Sequence, residues 1–225
     1  MVPVTDGAPV LIVEDHQLLA QSLEFALRAQ GMAAQRVSGV GRSEVLSAVA
    51  ELRPGLVLLD LDLGEESGLA LIEPLRTGGA DVLMLTGVTD RIRLAECIEA
   101  GAIGIVAKQQ PLEQLVAAIV EMVDGRPPLT RAQRDGLLAE LLRHRADERR
   151  RLAPFERLTH TEQAVLAALV EGHAAEAIAA DRYVTIATVR SQIRGILRQL
   201  GVNSQLEAVA AARHAGWAGP GRTSP

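Results

Sequence analysis

Five side chains in the first half of the sequence have the types needed for chemistry on a phosphoryl group. Each follows a short apolar run of strand length, and they are Glu14, Asp15, Asp60, Thr86 and Lys108. Carboxylate oxygens are the ligands that Mg²⁺ prefers, and a carboxylate can also attack phosphorus as a nucleophile. A hydroxyl and an ammonium can bind the oxygens of the transferred group. These types together predict metal-assisted phosphoryl transfer, with Asp60 as the nucleophile.

Lys108 is the only lysine in the chain, because the other 22 of its 23 basic residues are arginines. A compact ammonium on a flexible stem can place a point charge on a phosphoryl oxygen, which a planar guanidinium does less well. We therefore interpret Lys108 as a functional residue rather than as an exposed surface charge.

The segments that carry these residues alternate between strand and helix patterns. Apolar runs predict strands at 10–13, 32–37, 56–59, 82–85 and 103–107, and apolar residues at helical spacing follow each run. Five such units predict an α/β domain with a doubly wound five-stranded parallel sheet. Because the carboxyl ends of parallel strands meet at one edge, we expect the five side chains to converge there.

The composition of the 225 residues excludes several other classes of protein. One cysteine rules out a disulfide framework and a cysteine-based zinc site. No apolar run reaches the roughly 18 residues of a membrane span, and no basic stretch precedes an apolar one at the N-terminus. We therefore expect a soluble cytoplasmic protein without a signal peptide or a membrane partner. Two Phe, one Trp and one Tyr argue against a base-stacking platform.

Charge is distributed unevenly along the chain. Residues 10–123 carry 16 acidic and 8 basic side chains, residues 126–151 carry 4 and 8, and residues 155–214 carry 6 of each. Glycine and proline at 125–128 interrupt the pattern between the first two blocks. The predicted domains are a sheet domain at 9–124, a linker with an amphipathic helix at 125–154, a helical domain at 155–217 and a disordered tail at 218–225.

The C-terminal block has the pattern of a small four-helix domain with a helix-turn-helix. Thr159 and Glu162 form a capping box at its first helix, and Thr185 caps a longer helix that ends at Gly201. That helix exposes four polar side chains on one face, which are Arg190, Ser191, Arg194 and Arg198. A DNA-reading helix has this form. The alternative is a helical core with solvated arginines, which the block's balanced charge favours.

The motifs of the first block resemble the receiver domain of two-component response regulators over residues 9–123. These motifs are VLIVEDH, LVLLDLDL with SGL downstream, LMLTG and GAIGIVAKQQP. The resemblance implies that Asp60 accepts a phosphoryl group from a sensor histidine kinase, that Thr86 moves towards this group and that Lys108 binds it. It also implies a Mg²⁺ site made of Glu14, Asp15, Asp60 and the backbone carbonyl of Asp62.

Two residues depart from the receiver pattern. Gly64 stands where the family usually has proline, and Ile105 stands where it usually has an aromatic switch residue. An aliphatic side chain can repack but cannot swing a ring. The departures leave open a regulator that binds DNA without phosphorylation.

The second block resembles the LuxR-type (NarL-like) DNA-binding domain over residues 155–215. The motifs are ERLTHTEQAVLAALVEG and EAIAADRYVTIATVRSQIRGILRQLGVNSQLEAVAAA. The resemblance implies that Arg190, Ser191 and Arg194 face base edges of double-stranded DNA. It further implies phosphate contacts by Thr185, Thr188 and Arg198, and a homodimer formed in the active state through the last helix, 206–213.

The function predicted from both resemblances is a transcriptional response regulator. Such a protein is not an enzyme, except that it assists its own aspartyl phosphorylation and dephosphorylation. A phosphatase of the haloacid dehalogenase type is the rival enzyme class, since Asp60-Leu61-Asp62 resembles its nucleophile motif. That class leaves Glu14-Asp15 unexplained, and no later acidic metal motif follows Lys108.

His16 and Cys97 are interpreted as structural. The five histidines are scattered without metal-ligand spacing, so His16 is assigned to the surface or to a helix start. Cys97 lies on an apolar helix face and is predicted to fill the core.

Overall fold

In the computed structural model, which describes residues 8–220 except 65, 125 and 127, the apolar runs of the first half form one parallel sheet. Its strand order is β2-β1-β3-β6-β7, the flavodoxin-like order in which the direction of winding switches between β1 and β3. The predicted doubly wound sheet is confirmed. The described strands are β1 Val10–Val13, β2 Ala34–Arg36, β3 Leu56–Asp60, β4 Asp62–Leu63, β5 Glu66–Ser67, β6 Asp81–Thr86 and β7 Gly104–Ala107.

Helices cover both faces of this sheet, as strands that are apolar on both sides require. One buried cluster includes Leu11, Val57 and Met84, and the cluster on the other face includes Ile12, Leu58 and Leu85. Burial also raises the pKa of the Cys97 thiol to about 11, in keeping with a core position. The helices are α1 Gln17–Ala29, α2 Arg42–Leu52, α3 Leu69–Thr77, α4 Arg91–Glu99 and α5 Leu112–Val123.

The small ribbon of β4 and β5 was not predicted. These two-residue strands pair antiparallel directly after β3, with Asp62 opposite Ser67. So short a pairing leaves no periodicity to detect. The ribbon folds the segment after Asp60 back over the end of β3.

The linker predicted at 125–154 contains one long helix. Helix α6 is Arg131–Glu156 and continues through Pro154, which lies in its last turn. The chain divides into compact units at 1–142 and 143–225, so the first part of α6 belongs to the sheet domain. Leu137 and Leu141 are buried in the core cluster that Ile105 also joins.

Leu141→Ala should therefore lower the free energy of unfolding of the sheet domain by about 2–4 kcal/mol, the usual cost of emptying a core leucine site. Leu141 is 1 % exposed, whereas its neighbour Leu142 is 64 % exposed. Leu142→Ala is the matched control and should change stability by less than about 0.5 kcal/mol. Urea denaturation of both variants measures the difference. Equal effects would mean that α6 does not pack as described.

The second unit, residues 143–225, contains the second part of α6 and the four helices that follow it. These four helices are α7 His160–Val170, α8 Ala175–Asp181, α9 Ile186–Leu200 and α10 Gln205–His214. The capping box of Thr159 and Glu162 is present, and Ser204 caps α10 by accepting from the Glu207 amide. Trp217 stacks on Phe155 with ring centroids 5.6 Å apart.

Two further predictions concern the C-terminal tail and the absence of a membrane span. Of the tail predicted at 218–225, residues 221–225 lie outside them. Among the helices that the structure does describe, none combines the length and the apolar character needed to span a membrane.

Candidate phosphoacceptor site and DNA-reading helix

The sheet register places the predicted site residues at one edge. Val13 of β1 pairs with Leu59 of β3. The next residues, Glu14 and Asp60, therefore lie at the carboxyl ends of two adjacent strands. Thr86 of β6 pairs with Ala107 of β7, the residue directly before Lys108. The site lies where the winding of the sheet reverses, which is where open α/β sheets bind ligands.

Lys108 joins the two buried carboxylates of the site. Its Nζ lies 2.6 Å from Glu14 Oε2 and 2.6 Å from Asp60 Oδ2. The side chain of Glu14 is fully buried, and only 3 % of the Asp60 side chain is exposed. A single ammonium therefore faces two buried negative charges, which leaves the site with an excess of negative charge.

The electrostatics of Asp60 follow from this burial. Desolvation raises the pKa of the Asp60 carboxyl above its ordinary value, and the charge of Glu14 raises it further. The hydrogen bond and the charge of Lys108 act in the opposite direction without cancelling the rise. A cation beside Asp60 would act in the same direction as Lys108 and favour the ionised carboxylate.

The segment after Asp60 is held against its carboxylate. The amide of Asp62 donates to Asp60 Oδ1 at 3.2 Å, and the amide of Gly68 donates to the carbonyl of Leu61 at 2.9 Å. A Cβ at position 68 would lie 1.9 Å from the backbone oxygen of Asp60. Only glycine permits this approach. The role of the Asp62 carbonyl as a metal ligand stays a prediction.

Thr86 is buried beside the site, with its hydroxyl accepting from the Val88 amide at 2.9 Å. Its carbonyl accepts from the Lys108 amide at 2.9 Å, which ties the ends of β6 and β7 together. Thr86 therefore lies next to Lys108 along the edge. Its movement towards a phosphoryl group stays a prediction.

His16 lies at the surface directly before α1, as predicted, but its contact with the acidic pair was not predicted. Its Nδ1 lies 3.0 Å from Glu14 Oε1 and 2.8 Å from Asp15 Oδ1. The hydrogen bond to Glu14, followed by the charges of Asp15 and Glu14, raises the pKa of this exposed imidazole. Its position directly after the acidic pair was the available signal.

The donor set at this edge fits a hard divalent cation. Ligand atoms of Glu14, Asp15, His16 and Asp60 all lie within 4.8 Å of one another. Three of these four residues supply carboxylate oxygens, which are suitable ligands for Mg²⁺. A divalent cation would also neutralise the excess negative charge that Lys108 leaves.

The recognition-helix candidate is α9, and its two faces separate as predicted. Val189, Ile193 and Ile196 are buried. The polar residues predicted to face DNA are exposed, and they are Arg190, Ser191, Arg194 and Arg198. An exposed cationic face on the second helix of a helix-turn-helix is the geometry of DNA readout.

Local contacts already engage some residues of this surface. Thr185 caps α9 by accepting from the Thr188 amide at 3.1 Å, and the two hydroxyls lie 2.8 Å apart. Arg190 Nη2 donates to Glu176 Oε1 of α8 at 3.1 Å. Before α9, Tyr183 is 96 % exposed with a left-handed φ of 54°. Neither the pairing of Arg190 nor the exposure of Tyr183 was predicted.

Comparison with known proteins gives two family matches. Residues 10–120 match the response regulator receiver domain, and residues 156–212 match the bacterial regulatory proteins of the luxR family. Together the matches span most of the chain and include every residue of both candidate sites.

Relatives with this two-domain span come from several bacteria. The transcriptional regulatory protein LiaR of Bacillus subtilis (strain 168) is 27 % identical over 201 residues, covering 88 % of this chain and 93 % of LiaR. A second relative is the nitrate/nitrite response regulator protein homolog of Haemophilus influenzae (strain ATCC 51907 / DSM 11121 / KW20 / Rd). It is 27 % identical over 205 residues, and the match covers 90 % of this chain and 95 % of that protein.

A solved structure supports the fold. The LuxR-family two-component response regulator from Aurantimonas sp. SI85-9A1 superposes with a TM-score of 0.50 at 24 % identity. The match covers 63 % of this chain and 99 % of that structure.

Proposed function

The chain belongs to the transcriptional response regulators that join a receiver domain to a LuxR-type DNA-binding domain, and we propose that phosphorylation of Asp60 controls its binding to DNA. The observation that carries this proposal is the position of Lys108 Nζ, 2.6 Å from the carboxylates of both Asp60 and Glu14. The test is to phosphorylate the protein with a small phosphodonor and to compare DNA affinity before and after.

Asp60 is the proposed nucleophile. One of its oxygens forms a bond to phosphorus while the bond between phosphorus and the imidazole nitrogen of a sensor histidine kinase breaks. Lys108 would follow the charge from the carboxylate to the new phosphoryl oxygens, since its flexible stem allows a small movement. Thr86 would supply a hydroxyl hydrogen bond to the same group.

Glu14, Asp15, Asp60 and the Asp62 carbonyl are proposed to hold the Mg²⁺ ion. When bound, Mg²⁺ neutralises the negative charge that builds up on the transferred group. The Asp60 side chain is only 3 % exposed, so its carboxylate lies where most water is excluded. Each phosphoryl transfer leaves the phosphorylated receiver as its product. The receiver therefore assists its own modification and does not turn over a separate substrate.

The proposed partners follow from these two sites. A sensor histidine kinase would donate the phosphoryl group, and double-stranded promoter DNA would bind α9. Because the protein acts on DNA, the cytoplasm is its expected compartment. Arg190, Ser191 and Arg194 would contact base edges, and Thr185, Thr188 and Arg198 would contact phosphates.

Arg194→Ala should weaken binding to a duplex selected from a random pool by the wild-type protein. The expected loss is about 1–3 kcal/mol, the usual value of an arginine contact to a base edge. Arg149→Ala removes the same charge from α6 instead of α9 and is the control. Fluorescence anisotropy at one fixed salt concentration measures both variants. A loss of the same size on random-sequence duplexes would assign Arg194 to phosphate contact instead.

A homodimer is proposed for the active state. The last helix, α10, carries Leu206, which is 79 % exposed. Ala208 and Ala212 of the same helix are buried within the domain. An exposed leucine on this helix supports pairing through residues 206–213. A dimer would read two half-sites separated by about one helical turn of DNA.

Ile105 favours one alternative, a regulator of the same architecture that binds DNA without phosphorylation. This aliphatic side chain is half-buried and joins the core cluster that includes Leu137 and Leu141 of α6. Packing of this kind can hold one conformation whether or not Asp60 is modified. Equal DNA affinity of the phosphorylated and unmodified protein would favour this alternative.

A further inference from the structure

His16 occupies a helix-capping position without capping the helix. It is the residue before α1, but its side chain accepts no hydrogen bond from the first turn. Its amide instead donates to Glu14 Oε1 at 3.1 Å, and its Nδ1 lies against the oxygens of Glu14 and Asp15. The imidazole is therefore turned back towards the acidic site.

The imidazole lies on the open side of this site. Glu14 and Asp60 are buried, whereas 32 % of the Asp15 side chain and 74 % of the His16 side chain are exposed. Ligand atoms of the four residues lie within 4.8 Å of one another. Two atoms that each bind one cation at about 2.1 Å lie at most about 4.2 Å apart. The group is thus nearly the size of a coordination shell, and small side-chain rotations would complete it.

A nitrogen donor changes which cations such a site prefers. Carboxylate oxygens suit Mg²⁺ and Mn²⁺, while imidazole suits borderline metals such as Zn²⁺ and Ni²⁺. We propose that His16 is a nitrogen ligand of this site. This inference rests on the metal site of the proposed function. The receiver therefore binds borderline divalent cations with an affinity that depends on His16, whereas its Mg²⁺ affinity does not.

The difference between two metals tests this proposal, because borderline metals bind most sites more tightly than Mg²⁺ whatever the ligands. Titration calorimetry of the full chain, without any affinity tag, is carried out with Co²⁺ alone and with Mg²⁺ alone. His16→Ala and His16→Gln should each raise the Kd for Co²⁺ about tenfold or more. The Kd for Mg²⁺ should change by less than about twofold. The visible absorption of bound Co²⁺ should also shift, since a nitrogen ligand is replaced.

His173→Ala is the matched control, because His173 is also exposed and lies 3.9 Å from a carboxylate of Glu171, outside the site. It should leave both affinities unchanged. Asp15→Asn should weaken both metals, which locates them at the site. The proposal is overturned if the His16 variants leave Co²⁺ affinity unchanged, or weaken Co²⁺ and Mg²⁺ equally. Wild-type protein that binds neither metal would refute the proposed metal site itself, a result distinct from a loss of selectivity.

Discussion

Asp60→Asn should accept no phosphoryl group from acetyl phosphate in the presence of Mg²⁺, whereas the wild-type chain should gain one. The amide lacks the charged oxygen that attacks phosphorus, and the other carboxylates of the site bind Lys108, His16 or the cation instead. Because asparagine has nearly the same shape and Asp60 is 2 % exposed, the fold should persist. Intact-protein mass spectrometry measures the added group directly.

Asp135→Asn is the control for this substitution. Asp135 lies on the exposed face of α6, where its carboxylate is 3.9 Å from Arg131, and the change should leave phosphorylation intact. Phosphorylation of the Asp60→Asn chain at the wild-type level would move the acceptor to another residue. An unmodified wild-type chain would remove the basis for phosphorylation control.

Lys108→Met should have the second-largest effect, since it keeps the length of the side chain and removes only the charge. In buffer with a metal chelator, the buried carboxylates of Glu14 and Asp60 would lose their shared partner. Removal of one member of a buried ion pair costs about 3–5 kcal/mol of folding free energy. Loss of the Lys108 ammonium should also slow phosphorylation in the presence of Mg²⁺ about 100-fold, as loss of a transition-state donor does.

A surface ion pair provides the comparison for Lys108→Met. Arg91 donates to Glu140 at 2.7 Å, and these side chains are 61 % and 33 % exposed. Arg91→Ala should cost at most about 1 kcal/mol, because solvent screens the pair. Urea denaturation of both variants in the same buffer measures the two costs. Equal losses would show that Lys108 is not the central cation of a buried site.

The sequence was sufficient for the fold because the first domain uses repeated, strongly apolar units. Runs such as Val10–Val13 and Leu56–Asp60 are buried along their whole length, so their pattern has no competing interpretation as a surface strand. Right-handed connections limit the possible strand orders without selecting one, so the order was implied only by the resemblance to receiver domains. Convergence of Asp60 and Lys108 required no further information, since both follow strands of one parallel sheet.

Details that depend on side-chain packing could not be predicted in the same way. Leu141 and Leu142 have the same residue type and adjacent positions, yet only Leu141 is buried. The placement of α6 on the sheet domain decides between them. The pairing of Arg190 with Glu176 depends in the same manner on how α8 crosses α9. Long-range contacts of this kind leave no periodic signal in the sequence.

His16 shows a third limit, because its sequence position predicted the surface or helix-start role that it has, but not its contacts with Glu14 and Asp15. The turn between β1 and α1 brings its ring back onto the two preceding carboxylates. Backbone geometry over three residues, rather than residue type, creates that contact.

The affinity of one protein preparation for one selected duplex, measured before and after phosphorylation of Asp60, tests the central claim most directly. We predict that phosphorylation tightens binding by about 5- to 150-fold, the range of typical coupling free energies, and that Asp60→Asn shows no such response. Equal affinity of the phosphorylated and unmodified wild-type protein, with modification verified by mass, would contradict control of DNA binding by Asp60.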